Sequence, residues 1–158
     1  MTPLSFSLDT AAPEWQAVPG LEALVARAVA AVPQPDGPAE VSILLTGDAE
    51  MAELNGRYRG LPKPTNVLSF PAPATLKLPL GEVRPFGDLV LAWATVAREA
   101  RDQGKSLDAH LTHLLVHGLL HLHGYDHQTD QDADTMERLE TAILATLGYA
   151  DPYLEHAA

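Results

Sequence analysis

Six of the seven histidines of this chain lie within an eighteen-residue stretch in its second half. Histidine is the commonest metal ligand among the side chains, and it also serves as a general acid or base near neutral pH. The crowding therefore indicates a metal site or imidazole-based chemistry. The six are His110, His113, His117, His121, His123 and His127.

Three of these histidines have the spacing that a single zinc ion requires. The sequence predicts a helix over residues 106–123, which places His117 and His121 one turn apart on one face. Gly124 ends such a helix, so that the chain can turn and bring His127 back toward the same face. Three neutral imidazoles leave the fourth position of zinc open to water, which is typical of catalytic rather than structural sites.

The other histidines receive different interpretations. We expect His110 and His123 on the surface, because they lie off the face that His117 and His121 share. His113 lies on that face but one turn earlier, too far along the helix to reach the same ion. We expect it either behind the ligands or facing the substrate. The alternative for the whole cluster is a buried helix whose histidines only satisfy hydrogen bonds.

Zinc proteases offer one comparison for the reaction. They carry a glutamate, the general base, directly after the first helical histidine. This chain has Gly118 at that position. The sequence therefore disfavours peptide hydrolysis by that route, although a zinc hydrolase of peptides stays an alternative.

Length and composition bound the kind of protein. The 158 residues suit one domain, residues 1–158, with a hydrophobic core of its own. The chain has no cysteine, which excludes disulfides, thiolate metal sites and a cysteine nucleophile. We see no signal-peptide pattern and no apolar run near the roughly 20 residues that cross a bilayer, so we expect a cytoplasmic protein without membrane contact.

Charge is distributed unevenly along the chain. The net charge of -11 argues against nucleic acid as a partner, because phosphate binding draws on lysine and arginine. Residues 55–85, however, hold five basic residues and only one acidic residue, Glu82. This segment is either a local phosphate site or a chance excess in a solvated loop. Its basic residues are Arg57, Arg59, Lys63, Lys77 and Arg84.

Hydrophobic periodicity and turn residues predict the elements that position the histidines. We expect the order β-α-β-α-β-β-α-α-α, and hence an α+β domain with a mixed sheet packed by about five helices. The zinc site then lies at the end of a central helix capped by Ser106. The predicted strands are 4–8, 40–45, 66–71 and 87–93, and a proline-rich loop, a possible lid, covers 71–86. The predicted helices are 21–31, 48–58 (capped by Thr46 or Asp48, with Met51, Leu54 and Tyr58 on one face), 94–103, 106–123 and one from Asp132 or Asp134 to about Leu147.

The histidine stretch HGLLHLHGYDH, 117–127, resembles the signature of the YbeY family of bacterial endoribonucleases, the rRNA maturation factors. The stretch LNGRYRGLPKPTNVLSFP, 54–71, is similar to another segment of that family. GDLVLA and MERLETAIL, the latter followed by LGYADPY, add two further similarities. The matched pieces run from about residue 40 to 153 in the order of the family.

The resemblance implies a single-domain, zinc-dependent endoribonuclease that cuts single-stranded RNA. Such an enzyme contributes to 16S rRNA 3′-end maturation and to ribosome quality control, with the small ribosomal subunit or its associated proteins as partners. His117, His121 and His127 match the zinc ligands of the family, and Arg59 matches its functional arginine. A fixed guanidinium stabilises the charge that grows on a phosphodiester in the transition state.

Two residues and the reaction itself each have two interpretations. The family usually has aspartate where this chain has Asn66, so that position either orients a group at the site or shapes a turn. Asp126 either fixes the tautomer of a ligand imidazole or serves as a turn residue. The attacking group is either zinc hydroxide or the RNA 2′-hydroxyl. A zinc-stabilised module that binds the ribosome and cleaves little is the alternative to an enzyme.

Overall fold

A mixed four-stranded sheet forms the frame of the molecule. The structure is a computed structural model that describes residues 4–73 and 82–153. In the order of the sheet, β1-β2-β4-β3, the first three strands are parallel, and β3 runs antiparallel to β4 at one edge. The strands are β1 (Leu4–Thr10), β2 (Ala39–Thr46), β3 (Val67–Pro71) and β4 (Arg84–Ala92).

Five α-helices pack around this sheet, preceded by a short 3-10 helix at Pro13–Ala17. The predicted order of elements and the α+β class with a mixed sheet are confirmed. The helices are α1 (Leu21–Ala31), α2 (Asp48–Arg59), α3 (Trp93–Asp102), α4 (Leu107–Leu122) and α5 (Asp130–Thr146). Within the described stretches, no helix combines the length and the apolar content that a membrane crossing requires.

The alternation of side chains along β2 separates two apolar clusters. Val41, Ile43 and Leu45 are buried in the main core, which they share with residues of α1, α4 and α5. Leu44 points to the other face and packs in a smaller cluster with Met51 of α2. Helix α4 contributes to the main core and packs against the sheet, α1, α3 and α5. This position carries the histidine end of α4 to the edge of the sheet beside β3.

The start of α4 was predicted correctly, whereas the start of α5 was not. Ser106 caps α4, since its hydroxyl accepts a 3.1 Å hydrogen bond from the backbone N–H of Ala109. Helix α5 is capped by Thr129, whose hydroxyl accepts from the N–H of Asp132 at 3.0 Å. The predicted starts at Asp132 or Asp134 were therefore wrong, because these acidic residues lie within the helix that the threonine caps.

Helix α2 also differs from its prediction. Neither Thr46 nor Asp48 caps it, since Gly47 holds the cap position without a side-chain hydrogen bond. The carboxylate of Asp48 instead accepts from the N–H and the hydroxyl of Thr95 at 3.1 and 2.9 Å, which joins α2 to α3. Tyr58, predicted on the apolar face, is 62% exposed, and its ring contacts Phe70, which packs beside the cluster around Met51.

The proline-rich stretch predicted as a loop over 71–86 is strand at both ends. Pro71 ends β3, and β4 already begins at Arg84, where the ladder with β2 starts. The predicted strand 87–93 was therefore too short at its start, and Trp93 is the first residue of α3. The middle of the predicted loop, residues 74–81, lies outside the described residues.

Candidate metal centre

Two imidazoles at the end of α4 have their outer nitrogens engaged by the protein. The Nδ1 of His117 lies 2.5 Å from a carboxylate oxygen of Glu140. The Nδ1 of His121 lies 2.9 Å from the backbone carbonyl oxygen of Tyr125. Both partners are acceptors, so each Nδ1 carries the proton and donates it. Each Nε2 therefore presents a lone pair, as a metal ligand must.

The two Nε2 atoms face each other at 3.1 Å. Two lone pairs at this distance repel unless a cation lies between them. Zinc–nitrogen bonds of about 2.0–2.1 Å at near-tetrahedral angles place two ligand nitrogens about 3.1–3.4 Å apart. Burial lowers the pKa of His121, and the neighbouring His117 lowers it further, which keeps this ring neutral. The donor set thus fits a divalent metal ion.

His127 completes the group. One ligand atom from each of His117, His121 and His127 lies within 4.8 Å of the others, so the three histidines could hold a metal ion. Gly124, with φ of 104°, provides the left-handed turn after α4 that the sequence predicted. The backbone N–H of Tyr125 then bonds back to the carbonyl of Leu120 at 3.1 Å, and His127 is returned toward the helix end.

Asp126 stands within this turn. Its carboxylate accepts a 2.6 Å hydrogen bond from the backbone N–H of His127. Among the described contacts it makes no hydrogen bond to an imidazole, so the geometry favours the turn interpretation. Asp126 nevertheless lines the same cleft as the three histidines.

The histidines open into a cleft of about 600 Å³ between the end of α4 and β3. Val67, Ser69 and Pro71 form its wall on the strand side, and Arg59 lies at its rim. Arg59 is the last residue of α2 and is exposed. Within the described part of the chain it forms no ion pair, so its guanidinium is available to an anion in the cleft.

The basic segment 55–85 does not converge on this cleft. Arg57 pairs with Glu53 at 3.3 Å on the exposed side of α2, and Arg84 lines a different cavity. Of the five basic residues, Lys77 lies outside the described residues, and among the others only Arg59 lines the cleft. Among the described basic residues of the segment, only Arg59 could therefore contribute to a phosphate site in this cleft.

Comparison with known proteins decides the family. A family model described as "Endoribonuclease YbeY" matches residues 14–148. The chain belongs to the YbeY family. A relative from Chelativorans sp. (strain BNC1) named "Endoribonuclease YbeY" is 53% identical over 154 residues, 94% of each chain. Another of that name, from Paramagnetospirillum magneticum, is 47% identical over 96% of this chain and 97% of its own.

Among solved structures, the chain is similar to the solution structure of TM1509 from Thermotoga maritima. The two are 21% identical, with a TM-score of 0.49 over 94% of this chain and 99% of that one.

Asn66 is the position where this YbeY protein departs from the aspartate expected for the family. It lines the cleft at the start of β3. Its side-chain oxygen accepts from the N–H of Val67 at 2.7 Å, and its side-chain nitrogen donates to a carboxylate oxygen of Glu99 at 3.0 Å. An aspartate could make only the first bond. Asparagine therefore ties the cleft wall to α3.

Of the two histidines predicted on the surface, His110 is buried, so that prediction was wrong, whereas His123 is partly exposed. His110 is only 3% exposed, and its Nε2 lies 2.9 Å from the carboxylate of Glu99, because α3 covers this side of α4. Burial lowers the pKa of His110. His123 is half-buried, with its ring packed edge-on against Phe86 and its Nε2 bonded to the carbonyl of Pro33.

Glu140 is the residue at this site that sequence reasoning missed. It is 0% exposed on α5 and accepts hydrogen bonds from His117, His113 and Tyr153. Burial raises the pKa of Glu140, but the three donors outweigh it and lower the pKa to about 2. A signal did exist in the sequence, since Glu140 lies between Met136 and Ile143 on the apolar stripe of α5. A carboxylate in such a stripe indicates a buried partner.

The packing around Gly118 leaves little space for the glutamate that a zinc protease has at this position. A Cβ at this position would lie 2.8 Å from a methyl carbon of Leu89 and 3.3 Å from the hydroxyl oxygen of Ser69. That hydroxyl also donates to the carbonyl of Gly118 at 3.3 Å. A side chain at this position would begin against Leu89 and Ser69 of the sheet, so a general base there would reach the cleft only if these neighbours moved.

Proposed function

We propose that residues 1–158 form a single domain that acts as a zinc-dependent endoribonuclease on single-stranded RNA. His117, His121 and His127 are its zinc ligands, and Arg59 is its catalytic arginine. The carrying observation is the pair of Nε2 atoms at 3.1 Å, with each Nδ1 already engaged. Two further facts support it: the arginine at the rim of the same cleft and the name shared by the relatives.

The roles of the residues follow from their chemistry. When bound, zinc supplies Lewis-acid chemistry that polarises the phosphodiester and makes the attacking oxygen more nucleophilic. Arg59 donates charge-assisted hydrogen bonds to a phosphate oxygen and stabilises the charge that grows there. The attacking oxygen belongs either to water or to the RNA 2′-hydroxyl.

The charges in and around the cleft favour a short contact with few phosphates. Only Arg59 among the described basic residues lines the cleft, and the chain carries a net charge of -11. Binding to free RNA should therefore be weak, with a salt dependence of about -0.7 log units per phosphate neutralised and per log unit of salt. We propose that the small ribosomal subunit or its associated proteins, in the cytoplasm, present the 3′ end of precursor 16S rRNA to this cleft.

A cleavage assay tests this function. The zinc-loaded protein is incubated with single-stranded RNA, duplex RNA and a mixed peptide library. We expect cleavage of single-stranded RNA, lost in His121→Ala and slowed about 100-fold or more in Arg59→Ala, the scale of removing one transition-state donor. Arg57→Ala is the matched control, since it removes an exposed arginine of the same helix that does not line the cleft.

Three results would count against the proposal. Peptide cleavage with intact RNA would assign the site to another hydrolase. Equal loss in Arg57→Ala and Arg59→Ala would reduce the role of Arg59 to general electrostatics. A zinc-loaded protein that binds ribosomal subunits but cuts neither substrate would favour the binding module.

A further inference from the structure

A buried carboxylate stands directly behind the candidate ligand His117. One oxygen of Glu140 contacts the Nδ1 of His117 at 2.5 Å. The other oxygen contacts the Nε2 of His113 at 3.1 Å and accepts from the hydroxyl of Tyr153. The side chain is 0% exposed, so these three groups replace the water that a carboxylate would otherwise need.

We infer that Glu140 is a positioning residue that holds His117 with its proton on Nδ1 and its Nε2 toward the ion. The inference rests on the proposed function, because it assigns His117 as a ligand. An ionised carboxylate only accepts hydrogen bonds, so the imidazole that faces it must donate. Carboxylates that accept from ligand histidines in this way fix the ring and raise its basicity.

The two helical ligands depend on different kinds of support. The Nδ1 of His121 donates to a backbone carbonyl, which any substitution of Tyr125 would leave in place. The Nδ1 of His117 donates to a side chain on another helix. Of these two ligands, His117 is therefore the one whose orientation a single distant substitution can change.

Residues after α5 hold Glu140 in turn. Tyr153 reaches it from a segment that is fixed by the ammonium of Lys105, which donates to the carbonyl of Pro152 at 3.0 Å. The carboxylate of Asp151 also accepts from the N–H of Tyr153 at 2.8 Å. The side chains that support the metal centre thus include residues at the end of the described chain, distant in sequence from the histidine motif.

The test compares Glu140→Gln with Glu137→Gln. Glu137 lies one turn earlier on α5 and makes no side-chain hydrogen bond to a histidine among the described contacts, so it controls for loss of a nearby charge. A glutamine has one acceptor oxygen and cannot accept from all three donors. We expect Glu140→Gln to bind zinc about 10- to 100-fold more weakly in a chelator competition. Glu137→Gln should match the wild type.

A second readout does not depend on zinc. Nitrogen-15 NMR of the metal-free protein reports which nitrogen of His117 carries the proton. We expect Nδ1 in the wild type and in Glu137→Gln, and a shift of the population toward Nε2 in Glu140→Gln. RNA cleavage by Glu140→Gln should recover at high zinc concentration, whereas cleavage by Arg59→Ala should not.

The possible results separate this inference from the proposed function. Wild-type tautomer and zinc affinity in Glu140→Gln would overturn the positioning role. A wild type that binds no zinc would overturn the proposed function, and the NMR readout would still decide whether Glu140 sets the tautomer. If Glu140→Gln does not fold, Glu140→Asp shortens the side chain by one methylene, and unchanged values of both readouts would contradict the inference. Tyr153→Phe, which leaves two donors, should show a smaller loss of zinc affinity than Glu140→Gln.

Discussion

Gly118→Ala measures how tightly α4 is pressed against the sheet at the metal centre. Alanine is favoured over glycine within a helix by about 1 kcal/mol. The new Cβ, however, would lie 2.8 Å from a methyl carbon of Leu89, which is 0% exposed. Overpacking of this kind costs about 1–3 kcal/mol. We therefore expect a net loss of about 1 kcal/mol in the free energy of unfolding.

Denaturant and thermal unfolding of the metal-free protein measure this loss. For a chain of this length, about 1 kcal/mol corresponds to a fall of about 2–4 °C in the melting temperature. The double variant Gly118→Ala, Leu89→Val removes a methylene where the clash occurs, so its loss should be smaller than the sum of the two single losses. A Gly118→Ala protein that is more stable than the wild type would contradict this prediction. Leu89 would then have room to move away from the added methyl group.

Three further predictions concern the metal, pH and Asn66. His127→Ala should lower the zinc content of the purified protein, whereas His123→Ala should lower the stability and leave the zinc content unchanged. Metal analysis and thermal melts check these two expectations. Equal zinc content in the two variants would contradict the ligand assignment. In the metal-free protein, burial lowers the pKa of His121 below 6.5, so the unfolded chain binds protons more tightly and stability should fall as pH drops below about 6.5. Glu140 has a lowered pKa in the folded protein, so its contribution to the free energy of unfolding should be lost as pH falls from about 4.5 to 2. Urea melts at several pH values check the predictions for His121 and Glu140, and a stability that rises on acidification would contradict both. Asn66→Asp should destabilise the protein by about 1–3 kcal/mol, because it places a second carboxylate against that of Glu99. Glu99→Gln should restore stability in the double variant. Denaturant melts in which the double variant is no more stable than Asn66→Asp would contradict this repulsion.

Local patterns were sufficient for the frame of this molecule. Strand alternation, the serine cap of α4 and the glycine after it are all signals within a few residues, and each led to the correct element. The grouping of His117, His121 and His127 was predictable for the same reason. Their convergence needs only one helix and one turn, not the rest of the fold.

Contacts between distant segments were beyond the sequence patterns. The prediction that His110 lies on the surface was wrong, because helical periodicity shows which residues share a face but not which element covers that face. Here α3 covers the face of His110 and contacts it through Glu99. Glu140 was missed because its partners lie 23 and 27 residues away in the chain. The local charge of segment 55–85 was misleading, since charge in the sequence does not specify the direction of each side chain.

The short span of the three candidate ligands bears on how the protein folds. His117, His121 and His127 lie on one helix end and one turn, whereas the sheet needs pairing between strands far apart in sequence, such as β1 with β2. Short loops close faster than long ones, so an ion can gather these imidazoles before the sheet is complete. The unfolded chain would then keep part of its affinity for the ion, and a bound metal ion would stabilise the native state by less than its affinity for that state alone implies.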